Sequence, residues 1–336
     1  MSVLGLDIGG ANIKAATTDG RTCSVPFPLW KQPERLAAML AELVAMFVDC
    51  DTVAVTMTGE LADCFTTKAD GVRHIVAAVV QAAGSRRTLF WTTDGRFIAP
   101  QVVGQHVLAV AAANWHALAT WVGQRAATGS ALLIDIGTTT TDIIPLRDGR
   151  PVALGQTDRE RLTTRELVYT GVRRTPLCAI AKAAPWENSQ VGVAAELFAT
   201  TLDAYLLQGD IAEDAADIET ANGRPATIAS AHDRIARMVC GDREEVSHEQ
   251  AVQLARFFTA TQQQHIAGAV RTVLARQTAS VTTVIVSGSG EFLARRVVAS
   301  IPELSAGTVI SLTDELAPEI ATAACAYAVA QLGKRI

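Results

Sequence analysis

One short pattern occurs twice in this chain, and each copy follows an apolar segment. The first copy reads LGLDIGGANIKAA from Leu4, and the second reads LLIDIGTTTTDII from Leu132. Each copy predicts a strand, a tight turn at Asp-Ile-Gly and a second strand that pairs with the first. An internal repeat of this kind implies a duplicated fold with two similar lobes.

The composition agrees with two packed lobes and excludes several classes of function. The chain has 336 residues, of which 49% are hydrophobic and 19% charged, so we expect large buried cores rather than disorder. The formal net charge is −5 and no basic cluster is present, which argues against a nucleic-acid partner. Six scattered cysteines, no recognisable signal peptide and no long apolar run predict a cytoplasmic protein without a membrane partner.

The spacing of apolar residues extends this picture along the whole chain. We predict an N-terminal lobe over residues 1–128, completed by a closing helix at 316–333, and a C-terminal lobe over 129–315 that carries a mostly helical insertion at about 185–247. Helical periodicity is present at 68–83, 105–122 and 250–276, and a last buried strand is expected at 283–286. The predicted fold class is therefore α/β, with two duplicated lobes.

The first turn has the composition of an anion-binding loop. Glycines let a backbone approach an anion closely, and successive N–H groups can point at its oxygens. We expect Asp7, at the end of the strand, to hold a hydrated Mg²⁺ against the phosphate. The expected phosphate contacts are Gly9, Gly10, Asn12 and Lys14. Taken alone, the segment also fits an ordinary hairpin with a turn-stabilising aspartate.

The second turn repeats this chemistry with threonines. Asp135 takes the place of Asp7 as a metal ligand, and donors are expected from Gly137, Thr138, Thr139 and Thr140. Threonine favours strands, so a polar strand edge is the simpler alternative. Two such turns after two apolar strands are improbable as unrelated hairpins, and this recurrence favours the phosphate interpretation.

A third small-residue turn follows the last predicted strand. Gly288, Ser289 and Gly290 precede a helix that starts at Glu291, and a helix start after a strand is a ready anion or nucleotide contact. A plain strand-to-helix turn fits nearly as well.

The three turns together resemble those of the actin, Hsp70 and sugar-kinase superfamily, and this resemblance implies an actin-like fold with two ribonuclease H-like lobes around a cleft. Its two phosphate motifs match residues 4–15 and 132–144, and its adenosine motif matches 284–292. The absence of GxxxxGK[ST] and GxGxxG sequences agrees, because actin-like folds cradle phosphate without either.

The segments between the turns give a narrower resemblance, to the hydantoinase/oxoprolinase-related branch and, within it, to proteins labelled as tetrahydromethanopterin-linked C1 transfer pathway proteins. The matching segments are VTMTGELADCF from Val55, ANW from Ala113, YTGV from Tyr169 and TPL from Thr175. The likeness covers nearly the whole chain, and the TGELADCF stretch is its most particular part.

This resemblance implies a transferase of methanofuran biosynthesis, or of the related methylofuran in methylotrophic bacteria. Such an enzyme joins a tyrosine- or tyramine-derived phenol to an aminomethyl-furan methyl diphosphate and releases pyrophosphate. The implied partners are a small-molecule diphosphate and a phenolic acceptor, with Mg²⁺ as cofactor. Use of ATP and assembly into a homodimer are left open.

The reaction needs a base for the phenol, whose pKa lies near 10. We predict that Asp63 is this base, with Glu60 as the second candidate, because both follow a buried strand in the TGELADCF stretch. Either residue could instead cap a short helix. Lys68 and Arg73 are interpreted as solvated helix charges.

Two other interpretations use the same turns. One is an ATP-dependent small-molecule kinase or a hydantoinase/oxoprolinase-like amide-ring hydrolase. The other is a nucleotide-gated assembly module, which ranks last because no separate appendage domain is visible. Arg173 and Arg174 could reach an acidic substrate tail, although a surface loop explains them equally well.

Overall fold

The computed structural model describes residues 2–336 and contains two mixed sheets, each built around one copy of the repeated pattern. The first sheet has the order β3-β2-β1-β4-β5-β6. Its strands are β1 (Val3–Ile8), β2 (Asn12–Thr17), β3 (Thr22–Pro26), β4 (Thr52–Met57), β5 (Arg87–Trp91) and β6 (Phe97–Ile98). Both β1 (VLGLDI) and β4 (TVAVTM) are mostly apolar and are buried on both faces.

The second sheet has the order β10-β8-β7-β13-β14, with β9 paired to β8. Its strands are β7 (Ser130–Ile136), β8 (Thr141–Arg147), β9 (Arg150–Pro151), β10 (Leu167–Val168), β13 (Thr283–Ser287) and β14 (Thr308–Ser311). A separate hairpin is formed by β11 (Ala183–Trp186) and β12 (Ser189–Gly192). The sequence did not predict this hairpin.

The two sheets repeat the same local topology. In each, the strand of the motif lies antiparallel to the strand after the turn and parallel to a later strand: β1 lies between β2 and β4, and β7 lies between β8 and β13. The duplication and the α/β class predicted from the repeat are therefore confirmed. Both motif aspartates end a central strand, which brings each turn to the carboxyl edge of its sheet.

Thirteen α-helices are assigned within residues 2–336. They are α1 (Leu36–Ala45), α2 (Lys68–Ala83), α3 (Val107–Val110), α4 (Asn114–Val122), α5 (Asp158–Thr164), α6 (Leu177–Ile180), α7 (Thr201–Gln208), α8 (Ile228–Arg237), α9 (His248–Leu274), α10 (Glu291–Ala299), α11 (Leu312–Glu315), α12 (Pro318–Thr322) and α13 (Ala324–Gly333). The helix predicted at 68–83 is confirmed. It begins with a capping box in which the Thr67 side chain accepts from the Asp70 N–H and the Asp70 side chain accepts from the Thr67 N–H.

The helix predicted at 105–122 is interrupted. The chain leaves α3 through Ala111, and Ala112 has a φ of 48°, in the left-handed region. The apolar spacing continues across the break, but its two halves pack on different cores: Val110 joins the core of the first lobe, and Trp115 joins the core between the sheets. Two short helices satisfy the same spacing as one long helix.

The closing helix predicted at 316–333 is also divided, at Ala323 between α12 and α13. The main part, α13, packs directly on β1. A Cβ atom on Gly5 would lie 1.9 Å from the carbonyl oxygen of Ala326, so only glycine allows this approach.

Helices α4 and α13 lie between the two sheets and share one apolar core with both. This core contains Val3 and Ala54 from the first sheet together with Leu133 and Ile285 from the second. Each lobe has a further core on its outer side, and α7, α8 and α9 contribute to a fourth core over the insertion. The shared core holds the two turns at the same cleft. Within residues 2–336, none of the helices combines the length and the apolar character needed to cross a bilayer.

Candidate active site

Both repeated turns are closed by the same hydrogen bond. The Gly9 N–H donates to the Asn12 carbonyl over 3.0 Å, and the Gly137 N–H donates to the Thr140 carbonyl over 2.8 Å. These two N–H groups are therefore used inside the turns. The phosphate contacts predicted from the Gly9 and Gly137 N–H groups have to come from other donors.

Other N–H groups of the two turns are available for phosphate contacts. A covering segment donates to a carbonyl of each turn: Leu29 N–H to Gly10 over 2.9 Å, and Arg174 N–H to Thr138 over 3.0 Å. The C=O and N–H of one trans peptide point in opposite directions, so the next N–H groups, those of Ala11 and Thr139, point away from the covering segments. In residues 2–336 no acceptor takes up the N–H groups of Gly10, Ala11, Thr138 or Thr139. Each turn thus presents free donors, as an anion-binding nest does.

The two motif aspartates lie close enough to influence each other. Burial raises the pKa of Asp7 to about 6, and the nearby Lys14 opposes this rise. Burial raises the pKa of Asp135 to about 7, with further repulsion from Asp142 and from Asp7, while a hydrogen bond from the Ser287 side chain and the nearby Lys14 oppose this rise. The structure therefore brings one carboxylate from each lobe and a shared lysine into one cluster.

Two buried polar atoms beside the first aspartate have no hydrogen-bond partner among the described residues, Asp7 Oδ1 and Thr56 Oγ1. Thr56 is the neighbour of Asp7 across the sheet, and Ser287 is the neighbour of Asp135. A buried oxygen without a hydrogen-bond partner destabilises the fold unless water, an ion or a ligand binds to it.

This donor set fits Mg²⁺. Mg²⁺ takes one or two carboxylates and completes its shell with water and phosphate oxygens. Within residues 2–336, no group of three or more His, Cys, Asp or Glu side chains is arranged as a metal site, so a ligand-rich zinc or calcium centre is not formed there. Asp7 and Asp135 would hold the ion and leave its remaining positions to water and substrate.

Lys14 is held beside the aspartates by the break before α13. Its Nζ donates to the Thr322 carbonyl over 2.8 Å, just before the Ala323 break. In the second lobe the equivalent position is Asp142, whose carboxylate accepts from Arg161 over 2.6 Å. The Arg161 guanidinium stacks on Trp115 at 4.1 Å. The two lobes are therefore chemically unequal at this position, with a cation at Lys14 in the first lobe and an ion-paired carboxylate at Asp142 in the second.

The third predicted turn supports the second one. Gly288 has a φ of 92°, and a Cβ there would lie 2.6 Å from Asp135 Oδ1. The Gly290 N–H donates to the Ile136 carbonyl over 2.8 Å. Ser289, between the two glycines, is exposed. The turn therefore packs the α10 end of β13 directly against the Asp135 carboxylate.

Glu60 is the buried carboxyl group nearest in sequence to the first turn. The N–H of Gly59 donates to the Ile8 carbonyl over 3.0 Å, which ties the segment after β4 to the segment after β1. Only 1% of Glu60 is exposed, and its Oε2 has no partner in the described chain. Burial raises its pKa to about 7, although its own N–H, Lys68 and the N–H of Ala112 pull the value down.

Asp63 differs from Glu60 in its burial. It is exposed and lies outside the cluster of buried polar groups. Lys68, interpreted as a solvated charge, is partly buried and pairs with Asp158 of the second lobe over 3.8 Å. Arg73 is exposed and pairs with Asp70, as a surface helix charge does.

Sequence reasoning missed the part played by Ala11 and Thr56. Ala11 carries no functional side chain, so its contribution could be found only from the peptide orientation. Thr56 did leave a signal, because it is a hydroxyl in the fully buried strand β4 at the position opposite Asp7. Trp115, in the ANW segment, is 2% exposed and belongs to the core.

Comparison with known proteins adds independent information. The family model described as hydantoinase/oxoprolinase matches residues 51–334. A protein of Methanocaldococcus jannaschii named (4-{4-[2-(gamma-L-glutamylamino)ethyl]phenoxymethyl}furan-2-yl)methanamine synthase is 31% identical over 333 residues, which is 98% of this chain and 97% of that protein. A protein of the same name from Methanococcus vannielii is 28% identical over 205 residues, 61% of this chain and 91% of its own.

Solved structures support the fold alone. The nucleotide-free structure of acetone carboxylase, from work on ATP-dependent acetone carboxylation, matches 95% of this chain and 51% of that chain with a TM-score of 0.51 at 10% identity. At 10% identity this match shows only a shared fold, and it carries no information on substrates.

Proposed function

The chain belongs to the hydantoinase/oxoprolinase family, and we propose that it is a transferase that makes an aryl ether for a methanofuran- or methylofuran-type cofactor. Its substrates are a tyrosine- or tyramine-derived phenol and an aminomethyl-furan methyl diphosphate. The printed name of the Methanocaldococcus jannaschii relative describes a phenoxymethyl-furan product, and that relative matches 98% of this chain. The observation that carries the proposal is the facing pair of N–H-lined turns with Asp7 and Asp135 between them.

The two turns suit a diphosphate leaving group. The free N–H groups of Ala11 and Thr139 bind phosphoryl oxygens, and Lys14 adds a positive charge from the first lobe. Asp7 and Asp135 would hold Mg²⁺, which would supply positive charge beside the departing pyrophosphate. The buried surroundings strengthen each of these interactions.

Glu60 suits the other half of the reaction. Its Oε2 accepts the phenol proton, the phenol oxygen bonds to the furfuryl carbon, and the electron pair of the broken C–O bond leaves with pyrophosphate. A carboxyl group with a pKa of about 7 is half ionised at neutral pH, where a general base is most effective. Asp63 was the first prediction from sequence, but its exposure makes Glu60 the better candidate.

The experiment is an incubation of the purified protein with Mg²⁺, the furan diphosphate and γ-glutamyl-tyramine or tyrosine. We expect equal amounts of ether and pyrophosphate, without any need for ATP. The matched control is the Asp7→Asn variant, which should release neither product. ATP turnover that depends on a cyclic amide or a hydroxylated substrate, with no ether formed, would contradict the proposal and favour a hydrolase or kinase.

The setting of the reaction follows from the same features. We place it in the cytoplasm, where the six cysteines, all free in the structure, would stay reduced. The cleft lies between lobes at residues 1–128 and 129–315, with α13 completing the first.

A further inference from the structure

An aromatic residue and a cation meet across the mouth of the cleft. Trp30 follows the segment that covers the first turn, and Arg174 belongs to the segment that covers the second. The Arg174 guanidinium lies 5.4 Å from the centre of the Trp30 ring. This contact joins the two lobes directly outside the phosphate-binding turns.

Both residues are held in place by their backbones. Leu29, next to Trp30, donates to the Gly10 carbonyl over 2.9 Å, and the Arg174 N–H donates to the Thr138 carbonyl over 3.0 Å. The Lys31 N–H closes a turn on the Pro28 carbonyl over 2.9 Å. The two side chains therefore project from fixed points beside the turns.

The charges at this place are not balanced. Arg173 pairs with Asp217, but no carboxylate or other acceptor in residues 2–336 contacts the guanidinium of Arg174. A second cation, Lys31 Nζ, lies 6.0 Å from the Trp30 ring, and it is also unpaired in the described chain. Two free cations beside one indole, in a protein of net charge −5, form an anion site with an aromatic wall.

We propose that Trp30, Arg174 and Lys31 form the acceptor subsite, which rests on the function proposed above. The Trp30 indole packs against the phenol ring, and the Arg174 guanidinium binds a carboxylate on the tail of the acceptor. The subsite therefore selects phenols that carry a carboxylate over plain tyramine. Arg173 and Arg174 are neighbours in sequence, but only Arg174 is free for this role.

The position of the subsite favours the acceptor over the diphosphate. The phosphoryl oxygens already have the N–H groups of Ala11 and Thr139, Lys14 and the two aspartates with their metal ion. An indole face offers nothing to a phosphate but suits a phenol ring. A guanidinium with an exposed outer end suits a carboxylate on a tail that reaches out of the cleft.

The test measures binding by calorimetry in the presence of Mg²⁺ and pyrophosphate, so that it does not depend on ether formation. The ligands are γ-glutamyl-tyramine and tyramine, which differ in the γ-glutamyl group that carries the carboxylate. We expect Arg174→Ala to weaken γ-glutamyl-tyramine binding about tenfold to a hundredfold, as for a lost hydrogen bond to a charged group, and to leave tyramine binding unchanged. Trp30→Leu should weaken both phenols about threefold to tenfold.

The matched control is Arg256→Ala, which removes an exposed arginine of α9 that has no side-chain partner in the structure and should change neither affinity. Unchanged γ-glutamyl-tyramine affinity in Arg174→Ala would overturn the proposal, as would a loss of pyrophosphate affinity instead, which would assign the guanidinium to the diphosphate. A wild-type protein that binds no phenol would also overturn it. A protein that binds the acceptor as expected but forms no ether would support the subsite and contradict only the proposed function.

Discussion

At the scale of single residues, the main question is which carboxyl group moves the phenol proton. Glu60 is buried with a free oxygen and a pKa of about 7, whereas Asp63 is exposed. We predict that Glu60→Gln lowers kcat about a hundredfold to ten-thousandfold, the usual range for a lost general base, and leaves the affinity for diphosphate unchanged. Asp63→Asn is the matched control and should keep wild-type turnover. The reverse pattern would return the role to Asp63.

Glu60 also predicts how stability depends on pH. Burial raises its pKa from 4.5 to about 7, so the folded protein binds this proton more tightly than the unfolded chain. The stability that Glu60 contributes is complete below about pH 4.5 and is lost as the pH rises through 7, with a loss of about 3 kcal/mol by pH 8. Urea unfolding at pH 5 and pH 8 should show that the free energy of unfolding of Glu60→Gln rises relative to that of the wild type between these two pH values. A difference that is independent of pH would mean that Glu60 does not titrate there.

At the scale of elements, the contact between β1 and α13 determines where the first turn lies. A methyl group on Gly5 would meet the Ala326 carbonyl at 1.9 Å, and neither backbone can move without shifting Asp7. We predict that Gly5→Ala lowers the free energy of unfolding by about 3 kcal/mol or leaves the protein insoluble. The control is Gly268→Ala, at an open position of α9, which should raise stability by about 0.5–1 kcal/mol. Equal effects of the two changes in denaturant unfolding would contradict the close packing.

At the scale of the whole molecule, the lobes should respond together to a ligand held between them. Mg²⁺ with pyrophosphate at a hundred times its dissociation constant should stabilise the protein by about 2.7 kcal/mol, seen as a rise in Tm. Asp7→Asn and Asp135→Asn should each abolish this rise. At pH 8 neither variant should melt below the wild type without ligand, because each removes a buried charge whose pKa is raised.

Asp51→Asn serves as the control for this measurement, since Asp51 is exposed and lies away from the turns. It should keep the full ligand-dependent rise in Tm. A rise that survives in Asp135→Asn would mean that the second lobe takes no part in binding, and the two-lobed site would be refuted. The homodimer named as an option stays a prediction for solution measurements.

The sequence by itself determined those features that depend on neighbouring residues. The strands β1 and β7, their Asp-Ile-Gly turns and the helix α2 were all predicted, because apolar patterns and glycine turns act over a few residues. The duplication was visible for the same reason, since a repeated local pattern repeats its local structure.

Tertiary structure alone decided the rest. The N–H groups of Leu29 and Arg174 donate to carbonyls of the two turns, and this orients the turn peptides so that other N–H groups stay free. Both donors come from distant parts of the chain. The choice of Glu60 over Asp63 and the meeting of Trp30 with Arg174 depend on burial and on contacts between lobes. Such contacts join residues far apart in the chain, and a local pattern holds no record of which side chain will face water and which will face the cleft.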